Sequence, residues 1–202
     1  MRRMVVVAML VATLAACGDG PRVVGGKGVE GDFTALVDLK PKSLQRVSVE
    51  VHEDFTCPAC QRFSLEVLPA LKSRYGDALV ITVHPVAAPS TQPAAVILHD
   101  IAASRGIGDA VATALWQAGL EHRSTDANDE RVRAVARRFE LEQALQRALS
   151  DPQAVAAVRE RWLRVAHKVS HFPFVEIEGE IVTNGDRQNL EKIFDSLLRS
   201  PP

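Results

Sequence analysis

A single Cys-x-x-Cys pair, Cys57-Pro58-Ala59-Cys60, lies between two runs of different periodicity and limits what this 202-residue chain can fold into. Before the pair, Val47, Val49 and Val51 alternate with polar residues, as a strand requires. After it, Phe63, Val67, Leu68, Leu71 and Tyr75 recur at spacings of three and four, which predicts one face of a helix. A cysteine at a helix start sits among free backbone N–H groups at the positive end of the helix dipole, and both favour thiolate over thiol. The second cysteine, one turn on, can close a disulfide with the first, and such pairs exchange electrons through a mixed disulfide. A structural zinc site would need further Cys or His ligands at matching spacing, and no second Cys-x-x-Cys occurs. A purely structural disulfide closing so short a loop would constrain the unfolded chain little. Redox chemistry is the reading that remains.

The third cysteine has a different setting. Arg2-Arg3 begin the chain, and Met4–Ala16 form an apolar-to-small run too short to span a bilayer. The run ends Leu14-Ala15-Ala16-Cys17, which resembles the bacterial lipobox. That resemblance implies a signal peptide over 1–16, cleavage before Cys17, lipidation of Cys17, and a protein held on the periplasmic side of a bacterial membrane. Residues 17–31 are expected to form a flexible tether, because six glycines crowd positions 18–31 without apolar periodicity. The net charge of −1 and the absence of any nucleic-acid motif point away from nucleic-acid partners.

The folded domain is expected over 32–202, with a first strand over 33–39. Strand, helix and a second strand over 78–84 form a βαβ unit with parallel strands, and Pro69 should kink the intervening helix. From about 94 to 169 every periodic segment is helical, and a break falls at Gly106-Ile107-Gly108. Gly119 is a plausible C-cap, and Asp151-Pro152 reads as an N-cap followed by an N1 proline. A hairpin then centres on Glu178-Gly179, with strands over 174–177 and 180–182. A last helix carries Leu190, Ile193, Phe194, Leu197 and Leu198.

This order resembles the thioredoxin fold, and the helical insertion makes it similar to the DsbA-like branch, over about residues 45–198. Glu53-Asp54-Phe55-Thr56-Cys57-Pro58-Ala59-Cys60-Gln61-Arg62-Phe63 looks like that family's active-site run, and Glu66-Val67-Leu68-Pro69 like its continuation. Val169-Ser170-His171-Phe172-Pro173-Phe174-Val175 lies where the family has its cis-proline loop. The resemblance implies an α/β thiol–disulfide oxidoreductase that needs no cofactor. Cys57 would be the exposed nucleophile, Cys60 the buried resolving thiol, and Pro173 the cis-proline beside them. Phe172, Pro58 and Ala59 would touch substrate. Expected partners are proteins with thiols or disulfides, a membrane redox partner, and membrane lipid through Cys17. A monomer is expected, and an isomerase is disfavoured because no dimerisation domain precedes the fold.

Three positions depart from the family pattern. The buried acid often found six residues before the first cysteine is replaced by Val51, with Glu50 and His52 on the opposite strand face. Phe172 stands where Thr or Val is common, and Pro-Ala replaces the Pro-His of the strong oxidants. The oxidase direction is preferred to a reductase that maintains apoproteins. A second class, a soft-metal chaperone, would use Cys57, Cys60 and a histidine such as His167 or His171. His84 and His99 are expected at a strand end and on a helix surface.

Overall fold

β3 (Val47–Glu53) is the axis of the sheet because its residues meet side chains on both faces, and Val47, Val49 and Val51 are almost fully buried. The structure is a computed structural model in which residues 23–26, 28–40, 43–89, 91, 93–120 and 125–198 are described. The expected signal peptide over 1–16 and the expected lipidation site, Cys17, lie outside these residues. β3 pairs in parallel with β4 (Leu79–Pro85) and antiparallel with β5 (Phe174–Ile177). β6 (Ile181–Asn184) follows β5 through a hairpin whose Glu178 and Gly179 both take positive φ, as the sequence suggests. With β1 (Val23–Gly26) and β2 (Val29–Ala35) at the far edge, the order across the sheet is β1-β2-β6-β5-β3-β4.

The far edge corrects the expected tether. β1 and β2 pair antiparallel, and β2 continues the sheet against β6. The strand therefore begins at Val29 and ends at Ala35, where a tether to Gly31 and a strand over 33–39 were expected. One of the glycines in this stretch, Gly31, has a packing cause. Val29, Gly31 and Phe33 share a face, and Val29 and Phe33 are buried. A Cβ at Gly31 would meet Asn189 Oδ1 at 2.8 Å and Ile193 Cγ1 at 2.9 Å, and its φ of +120° suits glycine. Asn189 fills the space, accepting from Asp32 N at 2.6 Å and donating to Asp32 O and Thr183 Oγ1 at 2.8 Å each.

The active helix is not one regular segment. α1 (Pro58–Arg62) passes through a π-turn (Phe63–Val67) into α2 (Leu68–Tyr75). The irregularity thus precedes Pro69, which was expected to cause it. Leu68 N–H reaches back to Phe63 O, and Pro69 then enters the new register at a position where its missing N–H is tolerated. α2 and α8 (Arg187–Leu198) cover one face of the sheet, burying Phe63, Leu68, Leu71, Leu190, Ile193, Phe194 and Leu197 against its valines and isoleucines.

The expected helical insertion is present as α3 (Ala94–Ala103), α4 (Gly108–Gln117), α5 (Thr125–Arg138), α6 (Glu142–Leu149) and α7 (Pro152–Val165). Asp151 caps α7 by accepting from Gln153 N at 2.9 Å, and Gly119 takes a φ of +64° after α4. These helices enclose a second core around Leu98, Leu115, Val132, Leu141 and Leu145, and Phe55 and Cys60 belong to it. Arg161 ties α7 to α3 and the sheet through Asp100 at 2.8 Å and Pro85 O at 2.9 Å.

Gly31→Ala tests the edge correction. In a free tether the change would move stability by no more than about 0.5 kcal/mol. Against α8, with positive φ, it should cost about 2 kcal/mol or more in urea unfolding.

Candidate active site

The turn between β3 and α1 is fixed by one buried carboxylate. Asp54 Oδ1 accepts from Thr56 N at 2.8 Å and Thr56 Oγ1 at 2.7 Å, while Oδ2 accepts from Ala88 N at 3.2 Å and Thr91 Oγ1 at 3.1 Å. Its backbone oxygen receives Cys57 N–H at 2.9 Å. One side chain thus shapes the turn and fastens it to the loop after β4. Next to it, Phe55 is buried against Trp116, with ring centroids 4.6 Å apart, and Gln61 Nε2 donates to Trp116 O at 2.6 Å. The start of the active helix is therefore held by the insertion.

Cys57 is the N-cap of α1 and Pro58 follows at the first helical position. Cys57 Sγ accepts from Cys60 N at 3.3 Å and is half-buried, whereas Cys60 is fully buried. Both are free thiols here. Their environments separate their acidities. The Cys60 thiol donating to Cys57 Sγ is the largest influence on Cys57. With the Cys60 and Ala59 backbone N–H groups it brings the Cys57 pKa down to about 6, against burial and the Asp54 charge. The neighbouring thiol, more than the helix start alone, therefore makes the thiolate. Burial pushes the Cys60 thiol far up, and the Cys57 sulfur and Glu53 push it further.

Glu53 is the residue that the sequence reading passed over. It is 2 % exposed, and burial raises its pKa to about 7, with Ser64 opposing and Cys57 assisting. Ser64 Oγ lies 2.7 Å from each of its carboxylate oxygens. The position of the family's usual acid is Val51, and Glu53 is the next residue on the same strand face. A two-residue slip preserves that face, so the strand period held the signal.

The Phe172–Pro173 peptide is cis, and Phe172 O lies 3.9 Å from Cys57 Sγ. Phe172 is half-buried beside Trp162, with centroids 5.9 Å apart, so one ring face serves the insertion while the residue also borders the cysteines. Ala59, Phe63, Val67, Phe172 and Pro173 line a groove of about 340 Å³, and Pro58, the residue before Ala59, is exposed but not part of that lining. Gly185 closes the groove from β6. A Cβ there would overlap the Pro173 ring and come within 2.8 Å of Phe63 Cδ2.

The histidines do not join this cluster. His167 and His171 are exposed on a separate cavity of about 530 Å³ with Lys168, Leu36 and Val182. Among the described residues no three His, Cys, Asp or Glu side chains converge as a metal would need, so the metallochaperone reading lacks its third ligand. His84 stacks on His52 with centroids 5.0 Å apart, and burial with His84's charge lowers the His52 pKa to about 4. His99 faces Phe55 and is mostly covered, not on an open helix surface.

With this geometry the comparisons with known proteins agree. A family model described as thioredoxin matches residues 43–196. The chain belongs to the thioredoxin family. Its fold is the DsbA-like one. BdbD from Bacillus subtilis superposes with a TM-score of 0.61 at 11 % identity, covering 76 % of this chain and 88 % of its own. A thioredoxin-like oxidoreductase from Silicibacter pomeroyi gives 0.58 at 21 %, covering 74 % and 84 %. The DsbA of Xylella fastidiosa gives 0.55 at 20 %, covering 76 % and 85 %. No curated protein sequence matches the chain. Family and site together make this thioredoxin-family member a protein thiol–disulfide oxidoreductase.

The buried acid yields a pH signature. Folding raises the Glu53 pKa from 4.5 to about 7, so its burial costs nothing below pH 4.5, costs more as pH rises, and costs most above pH 7. Reduced Glu53→Gln should therefore match the parent at pH 4 and exceed it at pH 8 by up to about 3 kcal/mol in urea unfolding. Equal stability at both pH values would contradict this placement.

Proposed function

We propose that the protein is an exported, lipid-anchored oxidase of protein thiols, held on the periplasmic side of a bacterial membrane by Cys17. The contrast between a stabilised Cys57 thiolate and a Cys60 thiol that resists ionisation carries the reading. A substrate thiolate attacks Cys57 Sγ of the oxidised pair, the Cys57–Cys60 bond breaks, and Cys60 leaves with the electron pair and takes a proton. Glu53, about half protonated near pH 7 and within the field of both sulfurs, is the acid available to give it. A second substrate thiolate then attacks the substrate sulfur of the mixed disulfide. Cys57 leaves as a thiolate, the substrate is oxidised by two electrons, and the enzyme is reduced. A low leaving-group pKa speeds that last step.

Pro173 and the Phe172 backbone border the attacked sulfur and would hold an extended substrate strand, with Pro58 and Ala59 on the helix side. A membrane oxidase would re-oxidise the pair. The anchoring in this reading rests on Cys17; among the described residues no helix is long and apolar enough to cross a membrane.

Two measurements decide role and direction. Cys60→Ser should accumulate mixed disulfides at Cys57, since nothing resolves them, and Cys57→Ser should trap far fewer; equal trapping would reverse or abolish the assignment. Equilibrated with glutathione, the parent should lie nearer about −120 mV than about −270 mV. A value at the lower end would make the protein a reductase.

A further inference from the structure

The groove beside Pro173 has an apolar floor and an unbalanced rim. Arg62, at the end of α1, is exposed and makes no ion pair or hydrogen bond among the described residues. Arg187, at the start of α8, is 52 % exposed and holds Glu191 through Nε alone at 2.8 Å. The acid on this rim is Asp186, and one of its carboxylate oxygens already caps α8 by accepting from Asn189 N at 2.8 Å. Two guanidinium groups thus border the groove, Arg62 unpaired and Arg187 with its Nη donors outside its pair with Glu191, and the one carboxylate in the lining is engaged in capping. When the enzyme is oxidised, Cys57 carries no thiolate charge to offset them.

From this charge complementarity, and resting on the oxidase reading above, we propose that the groove selects substrate segments with acidic side chains flanking the reactive cysteine. Phe63, Val67 and Phe172 would take the apolar part of the segment, while Arg62 and Arg187 meet its carboxylates as forked donors. The wrong sign is rejected as well, since a lysine at the same place meets two like charges. The field acts before the covalent step, on encounter and on orientation in the groove. It therefore changes which protein is attacked without altering the chemistry at sulfur.

Two dicysteine peptides that differ only in Glu or Lys flanking the cysteine test this. Each rate of oxidation by the disulfide form is divided by the same peptide's rate with a small neutral disulfide, which removes differences in peptide thiol acidity. The Glu peptide should be favoured roughly three- to tenfold at low salt, the range that one or two solvent-facing ion pairs supply, and the preference should fade as salt rises. Arg62→Glu combined with Arg187→Glu should abolish or invert the ratio. Because both peptides are compared on the same variant, any change in Cys57 reactivity cancels. Equal rates for the two peptides on the parent, or a ratio unmoved in the double variant, would overturn the selection while leaving the oxidase reading standing. Oxidation of neither peptide would overturn that reading and the selection with it.

Discussion

The hydrogen bonds that converge on Cys57 Sγ are the interaction on which the chemistry of this fold depends. One sulfur, half open to solvent, accepts from the thiol and backbone N–H of Cys60, while the other sulfur is sealed in the helical core. Ionisation is favoured at the first and suppressed at the second, although only one helical turn separates them. Both effects require α1 to begin at Cys57. That start is set by the Asp54 carboxylate, which holds the preceding turn and the loop after β4 in one network. Replacing the network with an open loop would leave two ordinary thiols.

The site lies at the seam of two cores, and each fixes a different part of it. The helical insertion holds Phe55, Gln61 and one side of Phe172. The sheet core, with α2 and α8, holds Phe63, and Gly185 lets β6 approach Pro173. A shift of the insertion against the sheet would therefore move the cysteines relative to the cis-proline loop. The π-turn through Phe63–Val67 lies at this seam, where one helix must serve both cores.

Much of this was legible in the sequence because the signals were periodic or chemically specific. The alternating valines marked β3, the Asp-Pro start marked α7, and the Cys-x-x-Cys with the distant proline marked the two halves of the site. The N-terminal edge was misread because its glycines suggest a flexible chain. Gly31 is instead imposed by Asn189 and Ile193 of a helix more than 150 residues away, and no local pattern reports such contacts. Glu53 is hidden for the opposite reason: it lies in plain alternation with Val51, but the family pattern places its acid at one fixed position and not on a strand face. Ser64, the hydroxyl that bonds the buried carboxyl, lies in the π-turn after α1 and becomes adjacent only once the chain folds back past β3.

Neighbouring donors make Cys57 a thiolate at neutral pH while burial keeps Cys60 protonated. This contrast is tested by following thiolate absorbance against pH in the fully reduced protein with Cys17 replaced by serine. A single ionisation centred on about 6 is expected, with no second one before strongly alkaline pH. Two thiols titrating together at or above about 8.5, the ordinary cysteine value, would contradict it.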